Sequence, residues 1–400
     1  MKLSKVLLYS LTKYFELAVT ALVVFHFAHN VGPVYFGEFS VYLLCITYSA
    51  FVVLGINSSY VKFYSIEREK ENKGKLTAIN FVFNCVMGIF VFVFVQVYFS
   101  IDGAFYLALI CFMNLLRGSI QSILRASQRV NVLTAYNGLF AVIYLSMYMT
   151  FLVWNEYSID NFLFSWSASL VTVNVIGLFF IRKDIFHKSN YSFEYFVSKT
   201  NVLATTSLNL FLVSICNTLL LSFDRVLFNF FGVDKAMIGN YQFADNIASV
   251  FYLGSNALLY MLSPYYMSEL ASDKITITYF KKKFLRIFLA WSVPLVFFVV
   301  ISYLLLPLMF PEYSQSVDYV AGLTLNKYLC LLLFVPTTIL SYLNDEKLLL
   351  ISYIKVMPLL ILIQFVIVGW TSTPIFLIPY ISAMFIFILL FSLLKTVERS

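Results

Sequence analysis

Seven ionisable residues draw attention by where they fall. Lys13, Glu16, Arg117, Asp224, Arg225, Asp245 and Lys327 lie within or at the ends of long apolar runs, where an uncompensated charge is costly, so each marks a candidate functional position. Lys13 and Glu16, three residues apart, share a helical face and can pair. Lys327, in GLTLNKYLCLLLFVP, has Asn326 beside it and no acid close in sequence, so its ammonium needs water or a distant partner. The segment NLLRGSIQSILR sets Asn114, Arg117, Gln121 and Arg125 near one helical stripe. Asp224 and Arg225 adjoin. The guanidinium fork there suits a phosphate bound bidentately, and equally an ion pair to another helix. Asp245 could carry a cation or a proton, or pair with Arg225. Lys13 and Lys355 are near enough to the ends of their runs to snorkel.

Other chemistries find little support. His26 and His29 have the i, i+3 spacing of two metal ligands, but no Cys, Asp or Glu close by completes a site; an aromatic-rich span end is the plainer reading. Cys45, Cys85, Cys111, Cys216 and Cys330 are widely separated within apolar runs and read as small hydrophobes. No nucleophile with an adjacent base and no Walker-type loop occurs. Neither catalysis nor a cofactor is expected.

The elements that must hold these residues follow from composition. Of 400 residues, 61% are hydrophobic, 19% aromatic and only 12% charged, more apolar surface than a water-soluble domain can bury. The lipid bilayer is the solvent that accepts it. Apolar runs of about 20 residues predict twelve spanning helices, at 8–28, 40–61, 76–99, 103–124, 133–153 and 161–181, then 202–224, 240–262, 284–306, 320–342, 349–369 and 374–394. Continuous apolarity favours helices over barrel strands, which alternate. MKLSKVLLYSLTKYFELAV starts like a signal peptide, but Lys13 and Glu16 interrupt it, and it is read as a retained first span. Lys and Arg gather after the even-numbered spans, including Arg68, Arg182, Lys183, Lys188, Lys274 and Arg399, whereas the opposite loops hold only Arg225 and Lys235. By the positive-inside rule both termini are cytoplasmic. The net charge of +7 is thereby a matter of topology and contact with lipid headgroups, with no nucleic-acid partner implied.

The spans divide into two sets of six, giving domains 1–185 and 186–400, and a shift of 202 pairs Val31 with Val233, Gly37 with Gly239, Phe39 with Tyr241, Phe63 with Tyr265 and Tyr64 with Tyr266. An even number of spans per repeat gives both halves one orientation, a parallel pseudo-repeat about an axis normal to the membrane. The expected fold is thus an all-α integral membrane protein of about twelve helices in two six-helix lobes. Residues 31–65, VGPVYFGEFSVYLLCITYSAFVVLGINSSYVKFYS, with Gly37 and Gly55 as punctuation, resemble the opening of the bacterial O-antigen (Wzx-type) polysaccharide flippases. Residues 224–270, with Asp224, Gly232, Gly239, Tyr241 and Pro264, resemble that family's seventh and eighth helices, and LRASQRVNVLTAYN, residues 124–137, extends the likeness.

That resemblance implies membership of the exporter superfamily that also holds drug extruders. It implies alternating access between two lobes in the bacterial inner membrane. The implied cargo is an oligosaccharide on undecaprenyl pyrophosphate, with a polysaccharide polymerase and a chain-length regulator as neighbours, and H+ or Na+ as coupling ion. Carrying a pyrophosphate through lipid requires a wet, cationic path. Lys13, Arg117, Arg225 and Lys327 are its candidate cations, while Glu16, Asp224 and Asp245 are candidate ion-coupling or gating carboxylates. An antiporter of amphipathic cations in the same superfamily would favour an acidic cavity, whereas the midspan charges here lean cationic. A membrane glycan polymerase or ligase would carry a large outer loop with Arg and His, which the sequence lacks. Pro294, Pro336, Pro358 and Pro379 are expected to kink their helices.

Overall fold

Helices account for all the regular secondary structure described in the computed structural model, which covers residues 3–66, 70–99, 103–153, 157–185, 193–271, 277–343, 345–370 and 375–397. Lys2, Arg68, Asp102, Glu156, Lys188, Lys274, Pro374 and Arg399 lie outside those ranges. Among the described residues, ten stretches are long and apolar enough to cross a membrane. One of them, Leu8–Val53, contains the first expected span and most of the second; a further long helix that carries Asp245, α8 (Lys235–Ala271), lies outside the ten.

The chain forms two compact units. The first comprises Met1–Phe27 and Tyr42–Phe211. At its centre α4 (Ala104–Ala126) packs on α3 (Lys70–Tyr98), α6 (Ile159–Ile185) and the short α2 (Ile56–Ile66), with α5 (Val130–Val153) against α6. Leu107, Ala108, Cys111 and Leu115 of α4 meet Val91 and Val95 of α3 in one apolar cluster. Beside it runs a polar seam. Asn57 and Asn84 exchange amide hydrogen bonds of 3.3 and 3.1 Å, and Asn80 donates to Ser119 and Ser122 at 3.1 and 3.2 Å. Such bonds hold apolar helices in register where burial against lipid supplies little drive.

The second unit comprises Ala28–Val41 and Leu212–Ser400. Its central helix α10 (Val317–Leu332) packs on α8, on α9 (Ile277–Met309) and on α13 (Ile378–Val397), while α12 (Glu346–Trp370) packs on α13. In the span containing α10, Pro311–Leu340, 67% of the apolar window is buried, against 6% for Trp291–Met309 of α9. Phe297, Val300, Leu304 and Leu308 of α9 are exposed apolar residues of the kind that faces acyl chains.

Three breaks in the helices differ from the expected spans. α1 (Leu3–Ser49) continues through residues 29–39, where a connection was expected, and is divided only by Gly32, at φ 76° and ψ 171°. That backbone is open to glycine alone, and Pro33 then begins the next helical stretch, where its missing N–H costs nothing. The second expected span is itself interrupted by a 3-10 turn, Ala50–Val53, and by left-handed Leu54 and Gly55 before α2 begins. The tenth breaks at Leu333, between α10 and α11 (Phe334–Tyr342), because Pro336 has no N–H for the carbonyl of Leu332. Pro294 and Pro358 lie inside continuous α9 and α12. Pro379 sits in the first turn of α13, where it starts a helix instead of bending one.

Residues 33–41 dock on α8 within the second unit by a reciprocal contact. A Cβ on Gly37 would collide with the carbonyl of Lys235, and one on Gly239 with that of Pro33. Those residues are pairs under the shift of 202, so the two segments are related by a local two-fold. Phe36 lies edge-on to Phe243 and Tyr313, and Tyr313 donates to the carbonyl of Ala28 at 2.8 Å.

Candidate functional site

The seven candidate charges form two separate clusters, one in each unit. In the first unit Lys13 Nζ lies 2.8 Å from one carboxylate oxygen of Glu16, as its i, i+3 spacing predicts, and Arg117 reaches the other at 2.7 Å from α4. The guanidinium carbon of Arg117 stands 3.8 Å over the ring of Phe140, a position favoured by the ring quadrupole. Side-chain exposures of 21, 11 and 12% for Lys13, Glu16 and Arg117 leave Lys13 the most accessible. The cluster has one positive charge in excess. Of the polar stripe of α4, Gln121 is engaged inside the unit, donating to Asn137 of α5 at 2.8 Å.

The second cluster joins α7 (Phe193–Phe230), α8 and α10. Asp224 and Arg225 lie towards the end of α7, and their side chains reach α8. Arg225 reaches Asp245 at 3.1 Å and donates to Gln242 at 2.9 Å and to the carbonyl of Leu221 at 2.9 Å. Asp224 lies 3.8 Å from the Arg225 Nε and accepts from the hydroxyl of Tyr241. Asp245 takes Lys327 of α10 on its other oxygen at 2.7 Å. Lys327 also donates to the carbonyl of Asp245 at 2.8 Å and to the hydroxyl of Ser249. All four charged residues are buried. Two acids and two bases cancel, and Asp245 bridges both cations.

The structure therefore brings together Asp224, Arg225, Asp245 and Lys327 and, apart from them, Lys13, Glu16 and Arg117. Arg225 paired with Asp245 is one of the two arrangements open from sequence. The partner of Lys327 was invisible there, being 82 residues away. So were Tyr241 and Ser249, though Tyr241 was marked by the repeat. Neither histidine joins its neighbour: His26 meets the Tyr148 hydroxyl at 3.0 Å within the first unit, and His29 binds Glu312 within the second. Among the described residues no group of three His, Cys, Asp or Glu side chains could hold a metal ion.

No protein-family model and no curated protein matches the sequence. Solved structures do. The chain is similar to a MATE protein crystallised in complex with MaL6, at a TM-score of 0.70 and 11% identity over 99% of this chain and 97% of that one. It is similar to an outward-facing multidrug resistance MATE family transporter of the MOP superfamily, at a TM-score of 0.69 and 11% identity over 99% and 94%. An inward-facing structure of such a transporter matches at 0.70 and 11% over 97% and 95%. The fold of this chain is the two-lobe, pseudo-repeat helical fold of MATE transporters of the MOP superfamily.

Proposed function

We propose that this protein is a bacterial inner-membrane secondary transporter that exports an amphipathic cargo by alternating access, coupled to a monovalent cation. The reading rests on the buried Asp245, held between Arg225 and Lys327. A carboxylate with two competing cations can exchange one partner for a proton or metal ion and so tie ion occupancy to a change in helix packing. Likeness over almost the whole chain to inward-facing and outward-facing transporters supports the two-state cycle. The distribution of Lys and Arg supports cytoplasmic termini.

Small organic molecules, as implied by the multidrug description of those proteins, are the first cargo to test. A second cargo is favoured by a specific observation. The cluster of Lys13, Glu16 and Arg117 carries a positive charge in excess, which suits a pyrophosphate-linked glycan and repels an organic cation. The resemblance of residues 31–65 to polysaccharide flippases points the same way.

Proteoliposomes loaded with ethidium and given an imposed pH or sodium gradient test the first cargo. Gradient-driven movement that Asp245→Asn abolishes is the expected result. If ethidium is not moved, and deleting the protein from its host traps lipid-linked oligosaccharide on the cytoplasmic face, the glycan is the cargo. Failure of both assays removes the transport reading.

A further inference from the structure

The surroundings of the Lys327 ammonium are those of a metal-ion site. Its three contacts are all oxygens of different kinds: a carboxylate oxygen of Asp245 at 2.7 Å, the backbone carbonyl of Asp245 at 2.8 Å and the hydroxyl of Ser249. Asp245 and Ser249 are four residues apart on α8 and present their oxygens on one helix face. Carboxylate, carbonyl and hydroxyl oxygens are the donor set of hard cations such as sodium. Lys327 enters from another helix, α10, and is only 4% exposed, so its charge is delivered to this spot rather than left near it.

We propose that Asp245 and Ser249 form a monovalent-cation site that the chain fills with its own ammonium, Lys327, as a tethered substitute for sodium. The charge count requires a cation there. With Asp224 and Asp245 against Arg225 and Lys327 the cluster is neutral; without Lys327 it carries one buried negative charge, which a free ion or a proton must answer. Arg225 does not replace Lys327, because it approaches the other carboxylate oxygen and is also engaged by Gln242 and Leu221. Wild-type protein is therefore indifferent to sodium, and removing the ammonium opens the site to it. This deepens the coupled-transport reading by excluding sodium as the coupling ion. It is tested without cargo or flux, so a failure of transport leaves it standing.

Equilibrium binding of 22Na+ to the detergent-purified full chain, in a choline chloride background, decides it. Wild-type protein is expected to bind no saturable sodium. Lys327→Ala is expected to bind one ion per chain, and the double variant Lys327→Ala with Asp245→Asn none. Thermal unfolding gives a second reading: Lys327→Ala should rise in melting temperature on replacing choline chloride with sodium chloride at equal ionic strength, and wild type should not. Should Lys327→Ala not fold, the wild-type arm remains. Sodium-specific stabilisation or binding of wild type that is lost in Asp245→Asn overturns the proposal, as does a folded Lys327→Ala that ignores sodium.

Discussion

Glu16 shows how unequal the members of a buried cluster are. It answers two cations, and its removal as Glu16→Gln leaves Lys13 and Arg117 facing each other without a counter-charge. Breaking a buried pair from one side costs about 3–5 kcal/mol. Lys13→Met, by contrast, leaves Glu16 paired with Arg117. Thermal unfolding in one detergent should therefore rank Glu16→Gln well below Lys13→Met, and equal losses would count against the geometry. Local spacing made the Lys13 pair readable, because three residues on a helix always bring side chains together. Arg117 comes to Glu16 from 101 residues away, and nothing in either local sequence encodes that distance. The same holds for Lys327, whose isolation from acids in sequence showed only that a partner was needed.

At the scale of elements, Gly37 and Gly239 set how closely residues 33–41 approach α8. The atoms that an added Cβ would meet are backbone carbonyls, which cannot swing aside as a side chain could. Gly37→Ala and Gly239→Ala should each cost about 1–3 kcal/mol by overpacking, and by similar amounts, because the contact is reciprocal. Unfolding midpoints of the two variants check this; a loss confined to one would contradict the two-fold arrangement. The break at Leu333 makes a second prediction. Pro336→Ala returns an N–H opposite the carbonyl of Leu332, and amide exchange around residues 332–337 should slow as α10 and α11 join. Most helices were legible as apolar runs, since length and hydropathy suffice to specify a span. The continuation of α1 through residues 29–39 was not. There Gly32, Pro33 and Gly37 look like turn punctuation, and burial of Phe36 and Phe39 within the second unit decides otherwise.

For the whole molecule, the positive-inside bias makes orientation a measurable quantity. Lys183 and Asp234 are both exposed at helix ends, and they belong to connections assigned to opposite faces of the membrane. With the native cysteines replaced by serine or alanine, Asp234→Cys should react with a membrane-impermeant thiol reagent in intact cells, and Lys183→Cys only after lysis. The reverse pattern would invert the topology. The class of fold was legible from composition and from the shift of 202, because a bilayer leaves few ways to satisfy the backbone. The cargo was not, because recognition of an amphipathic molecule is spread over side chains that no spacing gathers.

The reciprocal glycine contact has the form of a subunit interface. A surface that meets its own equivalent across a two-fold is what two identical subunits make when they pair isologously. Gly37 against Lys235 and Gly239 against Pro33 is a contact of that form within a single chain.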